Sequence, residues 1–448
     1  MNSLYRRITY YILFLTCLPF FGWAQTFSLP HGEKVQKVRF KLINNLIIMP
    51  IDVNGVKLSF ILDSGVNKPI LFNISDQDSV QINNVSEVTI RGLGDGEPIK
   101  ALKSKQNFFE IGEIRNKDQA LYVVLDKALN LSPSLGVPVH GIIGYDLFRD
   151  FVIEINYVKK TIKFHDPELY QHKEHKKSKT LPLVIERNKA YVEGGIMLND
   201  SETVPVRLLV DTGSSDAVWL FEDQEKGLEL PIKNYEDFLG RGLSGNIFGK
   251  RTKVNSFAIG GFTLNDAKAA FPDIASFGNI KNLGNRNGSI GGEVLKRFNI
   301  VFDYSKNRVT FRKNVNFRVP FQYNLAGIEL QHAGVRYIAE SISDAGGIVL
   351  NEGNERSFGN VQILMEHKTR LSLVPEIIVS AIRAGSPAEE AGLKEGDLIL
   401  AVNGKRIHRY KLQEVMKMLN EKEGKRVKVL IERYNSDILF TFVLKKLF

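Results

Sequence analysis

The feature that most restricts this chain is an internal repeat. FILDSGVNKPILF, residues 60–72, and LLVDTGSSDAVWL, residues 208–220, each run from apolar residues into Asp, a small hydroxyl residue and Gly, then into a second apolar run. Upstream the copies agree again. A hairpin pattern around Asn54-Gly55 has a second strand, Val56, Leu58, Phe60 and Leu62, that alternates into Asp63. The matching stretch turns through Asn199 and Asp200, and Val204, Val206, Leu208 and Val210 lead into Asp211. Downstream, Arg91-Gly92-Leu93 begins 28 residues after the first Asp (91 − 63) and Arg241-Gly242-Leu243 begins 30 after the second (241 − 211). Gly144 and Gly291 then follow their Asp by 81 (144 − 63) and 80 residues (291 − 211). Agreement at separate places predicts one supersecondary plan built twice. We read residues 28–168 and 180–316 as two homologous, mainly β lobes, with 169–179 as the linker.

A length of 448 residues exceeds what one compact core supports and predicts two to three domains. The first 24 residues stand apart: Arg6 and Arg7 precede a short apolar run, YYILFLTCLPFFGWA, that ends in Gly22-Trp23-Ala24. This reads as a secretory signal, residues 1–24, and places the mature chain in the periplasm, the cell envelope or the medium. A retained anchor is the rival reading, though the run is short for a span of about 20 residues; membrane contact then depends on that segment alone. Cys17 is the only cysteine, so the mature chain has no disulfide, thiol nucleophile or Cys-based metal site.

The net charge of +10 is spread along the chain, apart from HKEHKKSK at 172–179. A nucleic-acid partner is not expected, because charge and aromatics are not concentrated on one element. His172 and His175 lack a third ligand at metal-binding spacing, so neither metal nor cofactor is expected. Gly92-x-Gly94-x-Gly96 has no helix after it to hold a phosphate and reads as a hairpin tip. Beyond residue 316 the pattern changes to a compact α+β unit, 320–448, with a Gly-Ser-Pro turn, a short Ala-rich helix, the helix KLQEVMKMLNE and two closing strands.

Asp63-Ser64-Gly65 and Asp211-Thr212-Gly213-Ser214, with their Gly hairpins and the segments Ile142-Ile143-Gly144 and Ser289-Ile290-Gly291, resemble the aspartic protease superfamily. Each lobe is similar to a retropepsin-like protease, and the fused pair is similar to the bilobal pepsin plan. The resemblance implies a mainly β fold of acid-protease barrel type. It also implies a catalytic pair, Asp63 and Asp211, sharing one proton; that dyad is itself the standard illustration of coupled carboxylates. Gly65 and Gly213 would let backbone N–H groups reach the carboxylates, and Ser64 and Thr212 would interlock the two turns. Gly92, Leu93 and Gly94 with Gly242 and Leu243 would be flap tips over an extended peptide. The first lobe departs from the pattern in Ser64 for the commoner Thr and in Val66-Asn67 where the second has Ser214-Ser215.

The last 70 or so residues resemble a bacterial PDZ domain, which implies binding of C-terminal peptides with the carboxylate held at Leu325, Ala326, Gly327 and Ile328. An insertion near 333–372 separates that loop from the following strand. The expected function is an exported aspartic endopeptidase acting on proteins or peptides, its PDZ domain recruiting or regulating substrate. The alternative is a non-catalytic envelope protein that binds peptides in the PDZ groove on a protease-like scaffold.

Overall fold

The computed structural model describes residues 26–74, 79–126, 129–199, 202–277, 285–341 and 369–446. The expected leader, 1–24, lies outside the described residues. Two eight-stranded sheets carry one plan. Along the first sheet the order is Lys41–Ile43, Leu46–Val53, Val56–Leu62, Gly141–Ile143, Ile70–Leu71, Ile114–Val123, Ile99–Ile111 and Ser86–Ile90. The second runs Val184–Glu186, Lys189–Met197, Val204–Val210, Gly288–Ile290, Val218–Leu220, Phe262–Pro272, Gly245–Ile259 and Asn234–Gly242. Strand for strand, the two orders correspond.

Local chemistry explains the turns. Asn54 and Gly55 both take positive φ, 49° and 88°, which a two-residue hairpin turn requires to match strand twist. The Asn54 carboxamide also accepts from the Phe108 N–H at 2.7 Å and donates to the Gln81 carbonyl at 2.5 Å, tying the turn to neighbouring strands. In both lobes the strand entering the Asp turn is polar-tolerant at first and wholly buried over its last three residues. There it meets a parallel neighbour, Phe60–Leu62 against Gly141–Ile143 and Leu208–Val210 against Gly288–Ile290.

A third sheet joins the lobes. Val35–Arg39, Thr161–His165 and Val152–Asn156 come from the first, and Phe298–Asp303, Arg308–Lys313 and Ser178–Pro182 from the second side of the pseudo-two-fold axis. The seam pairs Ile153 with Phe302 and Ile155 with Ile300, antiparallel. These residues are fully buried and belong to one core that runs through both lobes. Removing such apolar surface from water, at about 25 cal/mol per Å², binds the halves together.

The C-terminal unit has its own core, with Ile328, Leu330, Ile377, Val379, Val415, Val427 and Val429 at its centre. Its sheet runs Ile328–Ser341, Thr369–Ile382, Leu398–Val402, Arg426–Arg433 and Ser436–Val443, with Lys405–Arg406 pairing off Leu398–Val402. The expected insertion near 333–372 has strands at both ends, because the first two strands pair out to Ser341 and Thr369; residues 342–368 lie outside the described ones. The unit rests on both lobes: Gln413 Nε2 donates to the Leu135 carbonyl at 2.7 Å, and the Arg383 guanidinium lies 4.8 Å from the Tyr235 ring centroid. Among the described residues, no helix is long and apolar enough to cross a membrane.

Candidate active site

Asp63 and Asp211 meet at the seam between the lobes. Each follows a buried strand and is anchored by its own N–H, donated to Ile143 O at 2.8 Å and to Ile290 O at 2.9 Å. Gly65 N donates to Asp63 Oδ1 at 2.7 Å, and Gly213 N donates to Asp211 Oδ1 at 3.0 Å. No larger residue fits at Gly213, where a Cβ would stand 2.2 Å from Asp63 Cγ.

The hydroxyls cross the seam reciprocally. Ser64 Oγ donates to Val210 O at 2.6 Å and accepts from Thr212 N at 3.1 Å; Thr212 Oγ1 donates to Leu62 O at 2.7 Å and accepts from Ser64 N at 2.9 Å. Four bonds between buried groups therefore fix one turn against the other. The Val66/Ser214 difference leaves the backbone support intact: Tyr145 N donates to Val66 O at 3.0 Å and Gly292 N to Ser214 O at 2.7 Å.

The two carboxyl groups are hydrogen-bonded to each other, and burial raises both. Asp63 is pushed up to about 7, first by burial and then by the charge of Asp211; the Gly65 N–H and Lys189 oppose less strongly. Asp211 is raised by burial, against Arg286, the Gly213 N–H and Lys189. Such a pair holds one proton between its members over a broad pH range. Stability carries the signature. Folded Asp63 keeps a proton that the unfolded residue, near 3.8, gives up, so stability is lost as pH rises from about 4 to about 7. Asp63→Asn has no such proton to lose. We expect it to melt at least about 3 °C above the wild type at pH 8, with the gap closing below pH 4; parallel melting curves across that range would contradict this.

The tips of the two glycine hairpins cross each other. Gly96 N donates to Ser244 O at 2.6 Å, Gly94 N to Ser276 O at 2.8 Å and Ser244 N to Leu93 O at 2.9 Å; Asn246 N donates to Asp95 Oδ1 at 3.0 Å. Leu93 packs on the second lobe's Trp219–Leu239–Ile247 cluster, and Leu243 packs on the first lobe's cluster around Leu46 and Ile48. Gly92 and Gly242 permit this, since a Cβ on either would stand 2.5 Å or less from the opposite tip. An 830 Å³ cavity opens beside the flaps, between Val88, Ile99, Leu129 and Leu243, and neither Asp lines it. Ile70, Leu71, Val218 and Trp219 are core residues.

Two segments of the chain, 49–147 and 192–294, match the aspartyl protease family, and residues 378–433 match the PDZ domain. The chain carries a duplicated aspartyl protease domain and a PDZ domain. Over 83 residues it is 36% identical to probable CtpA-like serine proteases of Staphylococcus aureus, strains COL, N315 and MW2 among them. That match covers 18% of this chain and 16% of those proteins. An 83-residue segment cannot hold both Asp63 and Asp211, which are 148 positions apart (211 − 63), so the likeness says nothing of the paired turns.

In the C-terminal unit the loop Leu325–Ile328 is buried, and Gly327 takes φ 78° with Ser386 filling the space a Cβ would need. Its N–H groups are engaged. Asn420 Oδ1 accepts from Leu325 N at 2.6 Å and Ala326 N at 3.3 Å, and Asn324 Oδ1 accepts from Gly327 N at 2.9 Å. Sequence reasoning missed these carboxamides, and it missed the charges behind the Asp turns. Lys68 pairs with buried Asp146 at 3.0 Å in the first protease domain; Lys268 pairs with buried Glu293 at 2.8 Å in the second. Asp146 and Glu293 each stand two residues after the repeated Gly, a coincidence of spacing that the sequence did contain.

Proposed function

We propose that this chain is an aspartic endopeptidase in which Asp63 and Asp211 activate one water. The observation that carries the reading is the reciprocal Ser64/Thr212 lock, which presents two hydrogen-bonded carboxylates from equivalent turns. The ionised carboxylate takes a proton from water as its oxygen attacks the peptide carbonyl; the protonated one donates to the carbonyl oxygen. As the tetrahedral species collapses, the C–N bond breaks and the leaving nitrogen takes a proton from the dyad. Flap opening precedes binding, exchanging the crossed flap bonds for bonds to an extended peptide. The test is to incubate the full chain with a diverse peptide library between pH 3 and pH 8 and read cleavage by mass spectrometry. Internal cleavage is expected, and intact peptides beside folded protein would overturn the reading.

The PDZ domain, in this reading, takes peptides as an added strand along Ile328–Ser341 and recruits or regulates substrate. A terminal carboxylate entering its loop displaces the Asn420 carboxamide from the Leu325 and Ala326 N–H groups. Asn420→Ala should therefore raise the preference of the full chain for free-acid over amidated peptide C-termini by about 10-fold in Kd. Equal preference in the two proteins, measured by calorimetry, would refute it. Export to the periplasm or envelope is part of the proposal, supported by the basic-then-apolar residues 1–24, and cell fractionation tests it.

A further inference from the structure

The two protease domains are not chemically equivalent around their Asp residues. Leu46 and Lys189 occupy equivalent positions, each following a two-residue turn with positive φ, Asn44-Asn45 and Arg187-Asn188. The ladder pairing Tyr191 with Leu209, continued two residues, sets Lys189 beside Asp211 (191 + 209 = 189 + 211). The ladder pairing Ile48 with Ile61 likewise sets Leu46 beside Asp63 (48 + 61 = 46 + 63). A second pair follows from the segments that lead into the strands Gly141–Ile143 and Gly288–Ile290. His140 Nδ1 accepts from Ser59 N, and Asn287 Oδ1 accepts from Arg207 N, both at 3.0 Å, so the residues before them, Val139 and Arg286, also correspond.

On the Asp63 side the corresponding residues, Leu46 and Val139, are buried in an apolar cluster that Leu243 covers. On the Asp211 side they are Lys189 and Arg286, half-buried, and the charges of both act on Asp211. The Arg286 side chain is held in place, with Nε donating to Gly288 O at 2.8 Å and its guanidinium 5.2 Å from the Phe221 ring centroid. Among the described residues neither cation makes an ion pair, and the carboxylates that act on Lys189 are Asp63 and Asp211. The charges of Asp211 and Lys189 both interact with that of Arg286. A dyad holding one proton contributes a single negative charge to two adjacent cations. One positive charge is left over in a partly desolvated site.

We propose that Lys189 and Arg286 form a cationic subsite beside Asp211 that selects substrates with an acidic side chain next to the scissile bond, an apolar side chain lying on the Asp63 side. The inference rests on the peptidase reading and adds a substrate class to it. A carboxylate there gains charge-assisted hydrogen bonds that a carboxamide of the same shape does not. In the reverse direction, burial lowers the proton affinity of both cations while the subsite is empty, the charge of Arg286 adds to this at Lys189, and the ligand charge relieves it.

The experiment uses matched peptides that differ by Glu or Gln beside one cleaved apolar residue, with the full chain and with Lys189→Leu/Arg286→Val, which places the first domain's residue types in the second. Wild-type kcat/KM should favour Glu on the order of 10- to 100-fold, and the double variant should shrink that ratio to about 3-fold or less. Lys189→Gln and Arg286→Gln singly, each reducing the ratio partway, serve if the double variant fails to fold. Equal wild-type cleavage of the Glu and Gln peptides overturns the proposal. A parallel arm measures binding of the same peptides to Asp63→Asn chain by calorimetry. If nothing is cleaved yet Glu binds more tightly than Gln through Lys189 and Arg286, the subsite stands and the peptidase reading falls. Equal binding there overturns the subsite as well.

Discussion

Asp63→Asn and Asp211→Asn should each lower kcat for peptide hydrolysis by at least about 10³-fold while leaving the chain folded. The fold survives because the new carboxamide oxygen still accepts from Gly65 N or Gly213 N, at 2.7 and 3.0 Å in the parent. Chemistry does not survive, because an amide neither takes the proton from water nor shares one with its partner. The two substitutions act on one unit, so combining them should cost hardly more than either alone. Circular dichroism and initial rates on one cleavable peptide check this. Either single variant retaining a rate within 10-fold of the parent would contradict it.

Thr212→Ala should destabilise the chain by about 2–5 kcal/mol, a loss large enough to lower the yield of folded protein. The Thr212 side chain is buried and makes two bonds across the seam. Its removal strands the Ser64 N–H and the Leu62 carbonyl in a region water does not reach. Each stranded group costs about 1–3 kcal/mol, where an exposed loss would cost far less. Thr212→Ser keeps the hydroxyl and should recover most of the stability, since the first turn already uses Ser64 in the equivalent role. Urea unfolding separates the outcomes, and an alanine variant as stable as the serine variant would show that the lock carries no load.

Much of this was legible because a β-lobe advertises itself locally. Asn54-Gly55 is a turn by its own conformational preference, and apolar alternation into Asp63 and Asp211 fixes which strands are buried. Repetition of the whole plan then reveals that the Asp turns are partners. What stayed hidden depends on contacts between distant segments. The patterns of VIEINYVKKTIKF and NIVFDYSKNRVTF show buried hairpins, yet nothing in either says that Ile155 pairs with Ile300. Flap residues Leu93 and Leu243 read as tips, while their exchange of clusters follows from the angle at which the domains meet. Lys189 looks like an ordinary turn-flanking lysine until the ladder sets it beside Asp211. Asn420 caps the helix Leu412–Leu419, and nothing in the local sequence shows that its side-chain oxygen faces the Leu325 loop.

The central claim is that two turns of one chain make one catalytic pair. It is tested most directly by digesting a single peptide with wild type, with Asp63→Asn, with Asp211→Asn, and with an equimolar mixture of the two variants. The account predicts cleavage by the wild type at a rate proportional to its concentration, and none by either variant or by the mixture. Activity restored by mixing would show that the pair forms between chains, and full activity in either variant would show that no pair is needed.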